Sequence, residues 1–355
     1  MNLKEAGENF NMRRNRILSI SVFFVMAIAC SFAQRVNTAG QTFERKVVVE
    51  EFTGSWCGNC PRGTVGLSRL AEDFGDRVIC IAVHVGSGEP MLISAYADLQ
   101  PGSGVPACIV NRGDKLDPYS GSGSRGFNHY GLDVDVEEQL NMPAEAGVTL
   151  VAEWADAQQW DVKFTATTTF SLSADEANYR LAFVLLENGL TGLGRSWEQV
   201  NYYSYEFDSS LNTQYADDDM KFWRESPKYV TEMEYNHVPV NTLGIKSGIP
   251  SSIKAPIVSG QPQVYSDLVT TLNQKVIQDK ERLTAVALLL DTATGRIVNA
   301  DKTEILPYGT NAISSTETTD NKENKPRYNI SGQRINTPLG NNIVIENGKK
   351  IVVNN

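Results

Sequence analysis

Histidine is scarce in this chain and cysteine is not much commoner: three and five among 355 residues. His84, His129 and His237 stand far apart, and Cys30, Cys80 and Cys108 are singly placed. A zinc site built on a Cys-x-x-Cys pair needs a second pair of ligands. Only Cys57 and Cys60 form a pair, so neither a metal site nor a cofactor is expected. His237 reads as a core or loop histidine. Asp217-Asp218-Asp219 lacks the alternating ligands and distal glutamate of a calcium loop, and reads as a solvated loop. Basic surplus is missing too. With 32 Lys and Arg against 42 Asp and Glu, the formal net charge is −10, which argues against nucleic acid or an anionic membrane surface as partner. The apolar run at residues 17–30 is too short to span a bilayer.

That run instead has the layout of a secretory signal over residues 1–33. Arg13, Arg14 and Arg16 precede it, and Ser31-Phe32-Ala33 places small residues before a cut at Gln34. The first eleven residues are polar and acidic, so Met12 is the expected start of translation. A rival reading takes Ala27-Ile28-Ala29-Cys30 as a lipobox without its leucine, with a lipid on Cys30 as membrane anchor. Either way the mature chain is expected to be exported, where disulfides persist.

The most informative stretch is Trp56-Cys57-Gly58-Asn59-Cys60. It follows the apolar run Val47-Val48-Val49-Glu50-Glu51-Phe52, which reads as a buried strand. After it, Val65, Leu67, Leu70, Ala71 and Phe74 recur at roughly helical spacing. The two cysteines therefore lie where a strand hands over to a helix. Free N–H groups and partial positive charge at a helix N-terminus stabilise a thiolate. A thiol lowered in this way is both nucleophile and leaving group, as disulfide exchange requires. The alternative is a static structural disulfide, which an exported chain can also keep.

In this segment the sequence resembles the thioredoxin superfamily. The strand, Trp56, the cysteines and the following helix match its active-site segment in order. By that resemblance Glu51 is the buried carboxylate that assists proton transfer. Gly104-Val105-Pro106 before Ala107-Cys108-Ile109-Val110 is similar to the loop carrying the family's cis-proline, whose preceding backbone faces the active site. Trp56, Val105 and Pro106 are then the expected substrate-binding residues, and Cys57, Cys60 and Glu51 the catalytic ones. Asn59 stands where the family usually has proline, and Pro61 where a basic residue is common, with Arg62 one later. More narrowly, Glu50-Glu51-Phe52-Thr53-Gly54, then Cys57, Asn59, Cys60 and Pro61, resembles the thioredoxin-like outer-membrane protein family of Bacteroidetes. Val110-Asn111-Arg112 and Tyr235-Asn236-His237-Val238 extend that likeness over roughly residues 42–308. The family implies an exported, envelope-associated protein.

The expected architecture is an α/β thioredoxin-like domain, an antiparallel β-sandwich domain and a small C-terminal β module. The first domain covers residues 42–143, with a two-face-buried strand at 77–85, a short helix at 91–99, loop at 114–130 and a closing helix at 134–141. The second covers 147–307, with strands at 148–154, 160–166, 179–186, 284–290 and 297–300. An aromatic insert at 193–262 can be a binding surface, though covering one end of the sandwich core is the favoured expectation. Cys80 and Cys108 fall on core strands as small hydrophobes. Residues 308–325 read as a polar linker. Residues 326–355 hold apolar strands around Asn347-Gly348, a hairpin signal, and Ser331-Gly332-Gln333-Arg334 with the last strand resembles a Bacteroidetes secretion sorting domain. The functional expectation is an envelope thiol–disulfide oxidoreductase acting on protein thiols or disulfides, in the periplasm or at the outer membrane. Its rival is a surface binding or structural protein with a static Cys57–Cys60 bridge.

Overall fold

The computed structural model describes residues 42–207, 210–271 and 276–309, and four short strands between 327 and 353. The signal at 1–33, Met12, Cys30 and most of the 308–325 linker lie outside the described residues.

Strand β1 (Val47–Thr53) is buried throughout and leads through the cysteine turn into helix α1 (Pro61–Phe74). Pro61 opens that helix, where its missing N–H costs nothing and its fixed φ suits the first turn. Gly75, at φ 56°, ends it. Strand β2 (Val78–His84) returns parallel to β1, as a crossover helix allows. Helix α2 (Ser94–Ala97) is shorter than the expected 91–99, because Ile93 is extended; Met91 sits before it, fully buried. Strand β3 (Ala107–Val110) runs antiparallel to β1. The stretch expected as loop contains a two-residue strand, β4 (Lys115–Leu116), paired with β3. Helix α3 (Leu132–Leu140) follows. The sheet order is β2-β1-β3-β4.

The second half contributes β5 (Ala146–Trp154), β6 (Asp161–Phe170) and β7 (Tyr179–Glu187). The insert carries the two-residue pair β8 (Gln199–Val200) and β9 (Tyr229–Val230). Then come β10 (Val238–Leu243), β11 (Pro262–Thr270), β12 (Leu283–Asp291) and β13 (Ile297–Leu306). The strands expected as an antiparallel β-sandwich form one sheet in the order β10-β7-β12-β13-β5-β6-β11, antiparallel except where β13 meets β5. Strand β13 pairs antiparallel with β12 over most of its length, then gives Ile305 and Leu306 to β5 in parallel. A strand that changes partners this way turns a corner and lets the sheet face itself. Phe164 of β6 and Phe183 of β7 meet across the interior at 4.8 Å between ring centroids.

Strands β7 and β12 read as continuous apolar runs because both their faces are buried. Leu181, Phe183, Leu185, Ala285, Ala287 and Leu289 face the interior just described. Their neighbours Ala182, Val184, Leu186, Val286, Leu288 and Leu290 pack against Val48, Phe52, Ile79, Ile81, Val83 and Ile109 of the first sheet. Helix α1 and helix α3 cover the other face of that first sheet. Residues 42–143 and 147–307 therefore share a core, and the turn at Pro143 joins two parts of one packed body. Polar clasps reinforce it: Asn299 accepts from Lys46 N at 2.9 Å and donates to the carbonyls of Glu44 and Ala146.

The aromatic insert serves two cores: Tyr235, Ile253 and Ile257 pack into the interior of the larger sheet. Tyr203, Tyr215, Met220, Trp223 and Val230 enter the core beside α1. The acidic run is not a free loop either. Asp217 accepts from the Tyr119 hydroxyl at 3.0 Å, Tyr130 N at 3.3 Å and the His129 ring at 2.9 Å, and Asp219 pairs with Arg69. These carboxylates fasten the insert to the first half.

Near the C-terminus, β14 (Arg327–Tyr328), β15 (Arg334–Ile335), β16 (Asn342–Glu346) and β17 (Lys349–Val353) form a sheet in the order β15-β14-β16-β17. Strand β16 pairs antiparallel with β17, Glu346 opposite Lys349. Asn347 and Gly348 themselves lie outside the described residues.

Candidate active site

Beyond Thr53 the chain closes two consecutive turns. Cys57 N donates to Gly54 O at 3.0 Å and Cys60 N to Cys57 O at 3.1 Å. Gly63 N and Thr64 N then both bond Cys60 O, which starts α1. Cys57 and Cys60 are joined as a disulfide with Cα atoms 5.4 Å apart. Cys60 is fully buried and Cys57 is 5% exposed. The first turn of α1 has no side-chain cap and no acidic residue, so nothing within the helix offsets its N-terminal partial charge.

Trp56 is 51% exposed yet fixed: its indole N–H donates to Val85 O at 2.8 Å. Its ring lies on Gly54 and Gly86, where an added Cβ would come within 2.6 Å of it. Below the turn, Glu51 is buried on β1. Its carboxylate lies against the first turn of α1, and a Cβ on Gly63 would approach Oε1 to 1.8 Å. That oxygen has no hydrogen-bond partner. Burial pushes the Glu51 carboxyl up to about 8, against the opposing pull of the Thr53 hydroxyl and Arg62. A cavity of about 40 Å³ reaches this carboxylate; Thr53, Thr64, His84, Gln199 and His237 also line it. That is room for a water beside a polar group that lacks a partner.

The Val105–Pro106 peptide bond is cis. Strand β3 starts at the next residue, Ala107, opposite Phe52, so Val105 and Pro106 lie at the same end of the sheet as the cysteine turn. Asn59, and Arg62 one place beyond Pro61, serve the local fold. Asn59 O accepts from Arg62 and from the Tyr203 hydroxyl, both at 3.1 Å, and Arg62 pairs with Asp117 at 2.8 Å. Cys80 and Cys108 lie in the core beside α1. Burial drives both thiols away from ionisation, that of Cys80 up to about 12, so neither competes with the paired cysteines.

Two groups at the site escaped the sequence reading. The first is a buried cluster under Ser55. Glu89 accepts from Ser55 N and Ser55 Oγ, each at 2.9 Å, and lies 3.1 Å from His84 Nδ1. Burial alone would raise Glu89, but the His84 ring and the Ser55 donors outweigh it and hold the carboxyl below its usual range. The second is the insert strand around β8. Gln199 Nε2 donates to Cys57 O at 2.9 Å, Val200 N to Ser55 O at 2.8 Å and Tyr202 N to Gly58 O at 2.9 Å. No local spacing signals contacts that span some 140 residues; the aromatic richness of the insert is the one sequence trace.

Neither a family model nor any curated protein sequence matches the chain. Among solved structures, HBP35 of Porphyromonas gingivalis superposes with a TM-score of 0.51 at 15% identity, covering 88% of this chain and 99% of that one. The likeness is one of fold. A protein from Agrobacterium tumefaciens aligns at 15% identity over 74% of this chain and 95% of its own, with a TM-score of 0.37. A domain of the outer membrane lipoprotein Omp28 from Porphyromonas gingivalis aligns at 16% identity over 46% and 90%, with a TM-score of 0.23.

Proposed function

We propose that this chain is an exported envelope protein of thioredoxin-like fold that exchanges thiols and disulfides with other proteins. The observation that carries the reading is the cysteine pair at the start of α1, with buried Glu51 packed on that helix's first turn. In the reduced form the helix N-terminus favours the Cys57 thiolate. That thiolate attacks a substrate disulfide. A Cys57–substrate bond forms, and the second substrate sulfur leaves as a thiolate. Cys60 then gives its proton to Glu51 in its ionised form, which the raised pKa makes the stronger base, and attacks Cys57 Sγ. The Cys57–Cys60 disulfide forms and the first substrate sulfur is released with its electron pair. Two electrons pass from protein to substrate, and an envelope dithiol restores the reduced pair. Trp56 and the backbone at Val105, before Pro106, are the substrate contacts in this scheme.

The direct test is Cys60→Ser, which keeps the attacking thiol and removes the resolving one. Mixed disulfides with envelope proteins through Cys57 are expected, together with alkylation of the reduced wild type well below pH 8.5, the reference thiol value of about 8.5. A Cys57 pKa at or above that reference, with no captured protein and no turnover of a mixed disulfide, would overturn the scheme. One observation favours the second reading, a static disulfide in a surface or structural protein: the insert clamps the turn and leaves Cys57 only 5% exposed.

A further inference from the structure

Four carbonyls of the cysteine turn are already occupied from within the chain. Val200 N takes Ser55 O at 2.8 Å, Gln199 Nε2 takes Cys57 O at 2.9 Å, Tyr202 N takes Gly58 O at 2.9 Å and the Tyr203 hydroxyl takes Asn59 O at 3.1 Å. The Ser55 hydroxyl lies 2.8 Å from Ser196 O. The strap at residues 196–203 is itself anchored. Tyr203 and Asn201 are fully buried, and Asn201 Nδ2 donates to the carbonyls of Trp223 at 2.7 Å and Pro227 at 3.2 Å. It is a fixed wall. A partner arriving at Cys57 meets carbonyls that each already accept a hydrogen bond from within the chain, so side chains carry more of its recognition at the turn.

Two side chains are placed for it. Trp56, 51% exposed, immediately precedes Cys57. Tyr202, 41% exposed, lies on Gly58, which immediately follows; an added Cβ there would come 2.5 Å from its ring. Both rings are held before any partner arrives. The indole is pinned on Val85 O, while Tyr202 is fixed through its backbone and by Phe207 edge-on at 5.1 Å. Rigid aromatic surface that stays half in water loses little freedom on binding, and it offers a large apolar area. Cys57 itself, 5% exposed, admits only a thin partner.

We infer that Trp56 and Tyr202 form an aromatic bracket that selects extended polypeptide segments in which an aliphatic or aromatic side chain flanks the reacting cysteine. This rests on the oxidoreductase reading and names its substrate class. Tyr202 is the specificity residue that the insert adds.

The test uses two peptides, each with one cysteine in mixed disulfide with thionitrobenzoate, flanked either by Leu and Phe or by Ser. The reduced Cys57 thiolate attacks the peptide sulfur, that S–S bond breaks, and thionitrobenzoate leaves with the electron pair and is seen by its colour. The wild type is expected to react about tenfold faster with the apolar peptide, which is what ~1.4 kcal/mol of aromatic contact gives. Tyr202→Ala should lower that ratio to about threefold, and Tyr202→Phe should keep it. A wild-type ratio near one, or a ratio that Tyr202→Ala leaves unchanged, would overturn the inference. A second arm needs no redox step: labelled analogues with serine for cysteine are titrated with the oxidised full chain by fluorescence anisotropy. Tyr202-dependent preference for the apolar analogue without any thionitrobenzoate release would sink the oxidoreductase reading and leave the bracket standing as a binding surface. Equal binding of both analogues would remove the bracket whatever the thiol chemistry does.

Discussion

Replacing Glu51 by glutamine keeps the shape of a buried side chain and removes its titration. In the folded protein burial raises this carboxyl to about 8 from an ordinary 4.5. Between those values the folded state holds a proton that the unfolded chain has released. Stability must then fall as pH rises through that window, because the native state binds more protons. The slope is about −1.4 kcal/mol per pH unit at its steepest, and the full displacement corresponds to at most about 5 kcal/mol above pH 8. Glu51→Gln removes this dependence. Its stability relative to wild type should be near zero near pH 4.5, rise through pH 6 and 7, and level off above pH 8. Urea unfolding of both oxidised proteins at half-unit intervals from pH 4.5 to 9 measures the difference directly, and other titrating groups cancel in it. A difference that does not change with pH would refute the assignment of a raised pKa to Glu51. It would also remove the reason to give Glu51 the proton of Cys60.

Other predictions follow from the same geometry. Glu50 is fully buried and accepts from Arg112 at 3.2 Å and from the Tyr96 hydroxyl at 2.8 Å. Arg112→Ala strands that carboxylate and should cost about 3–5 kcal/mol by urea unfolding at pH 7; a loss under 1 kcal/mol, of about the size an exposed pair gives, would contradict it. Gly58→Ala must move the Tyr202 ring off the turn. It should destabilise by about 1–3 kcal/mol and speed reduction of the disulfide by dithiothreitol; unchanged reduction kinetics would mean that the wall does not limit access. Truncation after Pro307 keeps all of β13. It should leave cooperative folding and Cys57–Cys60 reactivity intact while altering where the protein accumulates; loss of either folding or reactivity would make the C-terminal module part of the main fold.

What could be read from the sequence was local. Strand, cysteine turn and helix follow one another without a gap, so period alone sets Cys57 and Cys60 between a strand and a helix, whereas the role expected of Glu51 comes from the resemblance to the thioredoxin superfamily. Val105 and Pro106 are expected from the same resemblance, and the bond between them is cis. The boundaries that moved did so for local reasons too, as at 91–99, where extended Ile93 delays the helix. The unread part was long-range. The apolar runs of β7 and β12 announced burial on both faces, but nothing in them named the first sheet as the cover. Strand β13 gives Ile305 and Leu306 to β5 in parallel, a partner choice made by the corner in the sheet rather than by side-chain pattern.

The insert shows why composition could not assign its role. Tyr202 and Tyr203 are adjacent and chemically identical, yet one is 41% exposed and the other fully buried. Both stand in the turn that follows β8, which sends the two side chains to different sides. Here one side is the core next to α1, where Tyr203 also reaches Asn59 O and Arg62. The other is the solvent face of Gly58. Which tyrosine anchors and which is presented depends on register against the cysteine turn, and that register is set by Val200 on Ser55 O and Tyr202 on Gly58 O. The glycine at position 58 and the tyrosine at 202 therefore form a single feature: the ring can lie flat on the turn because Gly58 carries no Cβ, and the turn gains a partner-facing aromatic because the insert holds that ring there.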